Sequence, residues 1–503
     1  MQLLHTFRDA HPDFGSSIST TPLTRSRLVA VDEHLVDELG AREALSFLTA
    51  QEPLPGFASV YSGHQFGGYT PRLGDGRAAL MGEIETEQTE SGNLVDLTLK
   101  GSGPTPYSRM GDGKAVLRST VREYLAGIAL RGLGIPTTAA LGFSMGVGSV
   151  QRETLEPEAL LLRTSQGHIR FGHFEYFFHT GNTQALETLI RYCAKRFYGK
   201  TFPDNSNGLT DASLLLFEQA CRRTARLIAQ WQTYGFCHGV MNTDNMSIIG
   251  ETLDFGPFSF MEAFDPGYIC NHSDHHGRYA FDQQPSVGLW NLQALAICFS
   301  KYVSEEKLID CLHTYQQEFE ETYLSLMAGR LGVGLGSDSA ARKDLIKNKV
   351  KDFLQILIDY KLDYNNSFLV LSELNTPANS GLSDEERSKR IAADVNAKDA
   401  QEIVKKFRDW SSNELSSSQD SVTSSPKVIL RNAFCEEIIQ QVTSTITGST
   451  SEEESDSASI EAIPELSMLQ AALLVPSERV LSESIFSRIP QENIRYPSLS
   501  CSS

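Results

Sequence analysis

The spacing of apolar residues changes along the chain, and this change limits the folds that the sequence can adopt. Between Gly56 and Gly148, strand-like runs such as residues 96–100 (DLTLK) alternate with glycine-containing turns. A helical stripe over residues 115–131 interrupts this part, and helical spacing dominates from about residue 183. The predicted helices of the second part cover residues 183–198, 211–234, 287–303 and 304–330. The sequence therefore predicts an α+β fold, with a β-rich lobe followed by a mainly α-helical lobe.

The length of 503 residues allows a large two-lobed domain with additional segments. We predict an N-terminal extension at 1–54, a β-rich N-lobe at 55–180, a helical C-lobe at 181–410 and a C-terminal region at 411–503. Within the last region, Ser/Glu-rich stretches at 411–425 and 449–459 are too polar to pack, which predicts linkers and a mobile tail bearing Cys501. The amphipathic stretch 428–442 between them is predicted to dock as a helix on the C-lobe.

The charge balance and the apolar runs exclude some classes of function. The 44 Lys and Arg against 63 Asp and Glu give a net charge of -19, which opposes binding to nucleic acid or to acidic membrane surfaces. The sequence contains no uninterrupted run of about 18 apolar residues, so it predicts no membrane span. The eight cysteines form no CxxC pair and the N-terminal residues lack a secretory apolar segment, so we expect a cytoplasmic protein.

A glycine-containing turn lies between two strand-like runs at residues 72–84 (RLGDGRAALMGEI). Gly74 and Gly76 would let backbone N–H groups approach a phosphate closely, and Arg77 adds positive charge. These three residues are therefore candidates for phosphate binding. An ordinary turn between strands is the alternative, which this motif alone does not exclude.

A lysine and a glutamate are spaced as in nucleotide-binding sites of the kinase type. Lys100 ends the strand-like run 96–100, and Glu123 lies in the middle of the predicted helix 115–131. In kinase-like folds such a glutamate orients the lysine toward the nucleotide phosphates. A chance spacing is the alternative.

Two further motifs resemble the metal-binding loops of protein kinases. Residues 238–245 (HGVMNTDN) have the His-to-Asn spacing of HRDxxxxN, and residues 254–256 (DFG) follow. Asn245 and Asp254 would supply hard oxygen ligands for Mg2+. Val240 occupies the position of the usual catalytic Asp, so the ordinary kinase mechanism is in doubt. Together the motifs predict a protein-kinase-like two-lobed fold.

Three other groups of residues allow more than one interpretation. Arg163 and Arg170 lie in strand-like sequence and would clamp terminal phosphates, or else form surface salt bridges. Residues 142–146 (GFSMG) match GxSxG, but strand-like sequence follows where a nucleophile elbow needs a helix. The cluster Cys270, His272, His275 and His276 fits no closed zinc pattern, and we expect a flexible polar loop.

The quoted motifs lie within longer stretches that resemble one family, the selenoprotein O group of kinase-like proteins. The matching stretches are residues 60–78, 99–125, 168–177, 238–248, 253–266 and 271–281, with the C-terminal SCSS at 500–503. The resemblance implies a pseudokinase fold that binds ATP in a reversed orientation and AMPylates Ser, Thr or Tyr of other proteins. The Ser/Glu-rich stretches after residue 410 depart from the family.

The resemblance also implies roles for individual residues. Asp244 would accept the proton, Asn245 and Asp254 would hold Mg2+, or Mn2+ as an alternative, and Glu123 would orient Lys100. The residues implied in ATP binding are Gly74, Gly76, Arg77, Lys100, Asp112, Gly113, Arg163, Arg170 and Asp254. The expected partners are ATP and protein substrates, with no nucleic acid and no membrane.

The family places selenocysteine or cysteine at the position of Cys501, which suggests redox chemistry there. We therefore hypothesise a reversible disulfide between Cys270 and Cys501 that restrains the segment beside the active site. A conventional phosphotransferase and a non-catalytic ATP-binding scaffold remain alternative functions. The sequence does not identify the protein substrates.

Overall fold

The computed structural model describes residues 1–86, 94–152, 154–333, 340–375, 383, 397–412, 425–448 and 463–476. None of the helices within these ranges is long and apolar enough to cross a membrane.

An antiparallel sheet occupies the first third of the chain. Its strands are β1 (Gly15–Ser19), β2 (Arg27–Val31), β3 (Pro55–Gln65), β4 (Gly68–Gly74), β5 (Ala78–Glu85), β6 (Leu94–Lys100), β7 (Ala115–Val116), β8 (Ala139–Gln151) and β9 (Leu155–Ser165). The strand order is β1-β3-β5-β6-β9-β8-β2, with β4 paired to β3 and β7 paired to β9. Strands β1 and β2, which come from the predicted N-terminal extension, pair with β3 and β8. The β-rich lobe is confirmed, and the limits of the extension stay a prediction.

Within the described residues, three α-helices accompany the sheet. They are α1 (Thr6–Ala10), α2 (Glu33–Leu39) and α3 (Leu117–Gly132). Helix α3 packs on β8 and β9 and buries Val121, Leu125 and Ile128, the apolar stripe that predicted it. It ends before Gly134, whose φ of +69° suits a glycine, and the Ile135 N–H bonds back to the Leu130 carbonyl.

The helical lobe follows the sheet. Its helices are α4 (Phe171–His179), α5 (Thr183–Tyr198), α6 (Ser206–Tyr234), α7 (Gln284–Phe299), α8 (Glu305–Leu331), α9 (Ala340–Tyr360), α10 (Tyr364–Asn375) and α11 (Ala397–Ser412). A short ladder of β10 (Phe236–Cys237) and β11 (Ser259–Phe260) frames the loops between α6 and α7. Helix α6 packs against α5, α7 and α8. The predicted two-lobed α+β fold is confirmed.

Two C-terminal helices return to the β-rich lobe. These are α12 (Asn432–Gly448) and α13 (Pro464–Leu474), and both pack on α3. Glu436 of α12 accepts two hydrogen bonds of 2.6 Å from Arg118 of α3. The segment 428–442 thus docks as a helix, but its main partner is α3 of the N-lobe rather than the predicted C-lobe. Its contacts with the C-lobe include the ion pair of Arg431 with Asp363, 2.7 Å, and the hydrogen bond that Asn432 Nδ2 donates to Ser259 Oγ, 3.1 Å.

Candidate active site

A cavity of about 840 Å³ lies between the sheet and the helical lobe. Nearly all of the candidate residues line it. They are Gly74, Gly76, Arg77, Lys100, Asp112, Gly113, Arg163, Arg170, Asp244, Asn245 and Asp254. The fold therefore gathers side chains from β4, β6, β9 and the loops between α6 and α7 into one cleft.

A buried ion-pair network forms the inner wall of this cavity. Lys100 on β6 is paired with Glu123 on α3, and Arg163 on β9 donates to the same carboxylate at 2.8 Å. Arg163 also donates to Asp254 at 3.2 Å. The side chains of Lys100, Glu123 and Arg163 are each less than one-tenth exposed. Solvent therefore screens the interactions between their charges only weakly. Burial is the main cause that lowers the pKa of Lys100, to about 8, with Glu123 opposing it.

Arg170 extends the network to the opposite side of the cavity. It is paired with Asp254, donates to the Asp244 carbonyl at 2.8 Å, and lies over the Tyr61 ring at 4.8 Å from its centroid. Arg170 is only 6% exposed, so the interpretation of Arg163 and Arg170 as surface salt bridges is wrong.

Asp254 adopts a backbone conformation that is uncommon for a residue other than glycine. Its φ is +60°, in the left-handed region, and its carboxylate lies between Arg163 and Arg170. Burial alone would raise the pKa of Asp254, but the charges of Arg170, Arg163 and Lys100 outweigh it and hold the pKa below its ordinary value. The carboxylate is thus kept ionised at the base of the cleft.

Asp244 is another carboxylate of the cavity. It lies in a short 3-10 turn, Thr243–Asn245, and Gln65 Nε2 donates to its Oδ2 at 3.3 Å. Its Oδ1 is buried and has no hydrogen-bond partner within the described ranges. Burial is the main cause that raises the pKa of Asp244 to about 7, although Arg170 opposes the shift. The buried Oδ1 lies beside Gly63 of β3, where a Cβ would clash with it, while Asp244 as a residue lines the cavity.

Three residues that the sequence analysis did not single out hold this turn in place. The Thr243 hydroxyl donates to Glu175 Oε2 at 2.9 Å and accepts from the His64 N–H at 2.7 Å. His64 Nδ1 lies 3.1 Å from Glu175 Oε1. Glu175 is fully buried on α4, so the turn is fixed to both lobes. All three residues fall inside the stretches that carry the family resemblance, which was the available signal.

Backbone space at the glycine turns is limited by close neighbours. Gly74 has φ +150°, and a Cβ there would lie 2.7 Å from the Ser59 carbonyl oxygen. Asp112 lies at the edge of the cavity, where Arg152 donates to it at 2.8 Å. That hydrogen bond is the main cause that lowers the pKa of Asp112 to about 2. The glycine turn after β4 thus brings backbone groups to the cavity, and the loop between β6 and β7 brings the carboxylate of Asp112, which Arg152 holds in place.

The rival motifs do not form sites among the residues that the structure describes. Ser144 of the GxSxG match lies in the middle of β8, is buried, and donates to the Leu48 carbonyl at 2.6 Å. In the candidate metal cluster of Cys270 and the nearby histidines, Cys270 is buried, with its Sγ 3.5 Å from Cys237 Sγ. His275 and His276 are exposed.

The burial of Cys270 corrects one expectation and leaves another open. We expected a flexible polar loop at this position, but Cys270 is only 5% exposed because its Sγ packs against Gly239 and Cys237. Burial raises the pKa of the Cys270 thiol. Cys501 lies outside the described residues, so the Cys270–Cys501 disulfide stays a prediction.

Comparison with known proteins identifies the family of the chain. A family model described as protein adenylyltransferase SelO matches residues 4–465. A protein nucleotidyltransferase YdiU of Marinomonas sp. is 45% identical over 378 residues, which cover 74% of this chain and 76% of the relative. The Klebsiella pneumoniae protein of the same name is 44% identical over 379 residues, covering 73% and 75%. The Myxococcus xanthus protein of that name is 43% identical over 377 residues, covering 73% and 74%. The resemblance to selenoprotein O is thereby confirmed: the chain belongs to the protein adenylyltransferase SelO family.

Proposed function

We propose that this protein transfers AMP from ATP to Ser, Thr or Tyr hydroxyl groups of protein substrates. The observation that carries the proposal is the buried cationic group of Lys100, Arg163 and Arg170 in a cleft that Asp244 also lines. A triphosphate directed inward meets these cations, which leaves its α-phosphate nearer the mouth. The cytoplasmic location expected from the sequence is part of this proposal.

The reaction that we propose is an in-line displacement at the α-phosphorus. The substrate hydroxyl oxygen forms a bond to the α-phosphorus, and the bond from that phosphorus to the bridging oxygen of pyrophosphate breaks. The hydroxyl proton goes to the carboxylate of Asp244, which lines the cavity. Lys100, Arg163 and Arg170 bind the pyrophosphate as it leaves, because its charge is largest at that stage.

The residues present fit a divalent cation. Asn245 Nδ2 donates to the Val240 carbonyl at 3.0 Å, which leaves Asn245 Oδ1 as the oxygen available to an ion. Asp254 supplies a carboxylate kept ionised by its neighbours. This amide and carboxylate pair would hold Mg2+, or Mn2+ as an alternative, which would neutralise phosphate charge when bound.

The other parts of the site have positioning roles in this proposal. Glu123 orients Lys100 and Arg163, which would otherwise repel each other across the cavity. Gly74, Gly76, Arg77, Asp112 and Gly113 contact the nucleotide from the mouth of the cavity. Each role is inferred from the place of the residue on the cavity wall.

One experiment separates the proposal from a phosphotransferase and from a non-catalytic scaffold. The protein is incubated with Mg2+, a heat-treated protein extract as acceptor, and ATP labelled at either the α or the γ position. We expect label on protein from the α position only. Label from γ would support a phosphotransferase, and no label from either position, with ATP still bound, would support a scaffold.

A further inference from the structure

A second cavity adjoins the one that holds the candidate active site. It has a volume of about 920 Å³ and is lined by the segment between residues 267 and 290 together with Phe66. Phe66 also lines the active-site cavity. The two cavities therefore meet at this one side chain, and a molecule in the second cavity lies next to the mouth of the first.

Phe66 is held in an outward position by the backbone. It sits at the tip of the β3–β4 hairpin with φ +50°, and its N–H donates to Tyr279 Oη at 2.9 Å and to Asn242 Oδ1 at 3.2 Å. Its side chain remains 41% exposed. The left-handed backbone of Phe66 is anchored by two hydrogen bonds, and such conformations cluster at functional positions.

The walls of the second cavity are fixed as well. The Arg278 guanidinium lies over the Trp290 ring at 4.7 Å from its centroid. Asp274 accepts the backbone N–H groups of Arg278 and Tyr279 at 2.9 and 2.7 Å. Between these supports, Ile269 is 42% exposed. The cavity thus offers two exposed apolar side chains, Phe66 and Ile269, on a preformed frame.

We propose that this second cavity binds the acceptor segment of the protein substrate and takes a large apolar side chain close to the modified hydroxyl residue. The inference rests on the proposed AMP transfer, since that reaction needs a hydroxyl beside Asp244. An extended segment that enters past Phe66 brings its hydroxyl to Asp244, which lines the active-site cavity together with Phe66. A neighbouring side chain of the same segment then packs against Ile269 and Phe66.

The distance between the two cavities favours an extended segment of another protein as the occupant. The second cavity shares Phe66 with the active-site cavity, so a molecule docked in it must carry its hydroxyl a short distance past Phe66 to reach the active site. An extended chain does this at about 3.3 Å per residue. We therefore expect the apolar side chain within one to three residues of the hydroxyl residue.

The test is a set of synthetic peptides with a central Ser, Thr or Tyr and one varied neighbour, incubated with Mg2+ and α-labelled ATP. We expect peptides with Leu or Phe beside the hydroxyl residue to be labelled about tenfold better than those with Gly or Asp, as burial of one large apolar side chain allows. Ile269→Asp should remove this preference and raise the KM for the best peptide about tenfold, with the KM for ATP unchanged.

A matched control is available on α8. Ile309 is 44% exposed and lines neither cavity, so Ile309→Asp should leave both the preference and the two KM values as they are. As a second measurement, the best peptide carrying a photoreactive apolar residue should cross-link to wild-type protein at residues 66 or 267–290.

The outcomes distinguish failure of the proposed acceptor cavity from failure of the proposed AMP transfer. If α-label reaches peptides but Ile269→Asp keeps the wild-type preference, or the cross-links fall elsewhere, the acceptor cavity is overturned while AMP transfer stands. A change in the KM for ATP in Ile269→Asp would also overturn it, because the residue would then act on the nucleotide site. If no peptide or protein receives α-label, the proposed function fails and this inference fails with it.

Discussion

Gly63 on β3 provides a sensitive test of the role of Asp244. A Cβ at position 63 would lie 2.8 Å from Asp244 Cβ and 2.9 Å from its Cγ, and closer still to Oδ1. Carbon atoms in contact need about 3.5 Å, so Gly63→Ala forces the Asp244 side chain to move by roughly 0.5–1 Å. A displacement of about 1 Å in a reacting group costs on the order of 100-fold in rate. We therefore expect kcat to fall about 100-fold.

The assay is initial-rate transfer of α-label, with ATP affinity measured separately by titration of a fluorescent ATP analogue. Gly63→Ala should leave ATP affinity unchanged, since the clash is with Asp244 and not with the cations that bind phosphate. Gly68→Ala is the matched control in the same hairpin, because the nearest atom to its Cβ is the Gln65 carbonyl oxygen at 3.5 Å, an ordinary contact. A kcat for Gly63→Ala within threefold of that of Gly68→Ala, at equal thermal stability, would refute the role assigned to Asp244.

Three further predictions concern other parts of the molecule. Asp254→Asn should lower transfer by at least about 1000-fold, measured as α-label at saturating Mg2+, because an ionised ligand is lost. Glu175→Gln should lower kcat about tenfold with ATP affinity unchanged, since Thr243 loses its charged acceptor. For Glu251, burial raises the pKa from 4.5 to about 8, so the folded state holds a proton that the unfolded state has released and stability falls as pH rises through that range. Glu251→Gln removes this pH-dependent loss of stability. The melting temperature of the variant should match that of wild type near pH 4.5 and exceed it at pH 8 by an amount equivalent to about 1–3 kcal/mol of unfolding free energy. Equal melting temperatures of the two proteins at both pH values would contradict the assignment.

Sequence reasoning located elements whose signals are local. The predicted helix 183–198 is α5 at the same residues, because Asn182 caps its start and Gly199, with φ +60°, ends it. The predicted helix 211–234 begins earlier, at Ser206, since the Asn205 side chain accepts the Gly208 N–H and adds a turn of weak apolar character.

The parts that sequence reasoning missed depend on contacts between distant residues. His64, Glu175 and Thr243 come from three distant segments and are joined by single hydrogen bonds. The spacing of apolar residues in the sequence does not predict such contacts. The burial of Cys270 likewise follows from its packing beside Cys237, which comes 33 residues earlier. The pairing of Lys100 with Glu123, by contrast, was accessible because a known arrangement suggested the two positions together.

The proposed reaction transfers AMP, and Asp244 takes the proton of the acceptor hydroxyl. The most direct test of this reaction is intact-mass spectrometry of casein, used as a general acceptor, after incubation with Mg2+, ATP and either wild-type protein or Asp244→Asn. We expect wild-type protein to add the mass of AMP to a hydroxyl residue and to release one pyrophosphate for each AMP, and Asp244→Asn to add little of either. A mass increase of one phosphate, or undiminished AMP transfer by Asp244→Asn, would contradict the account.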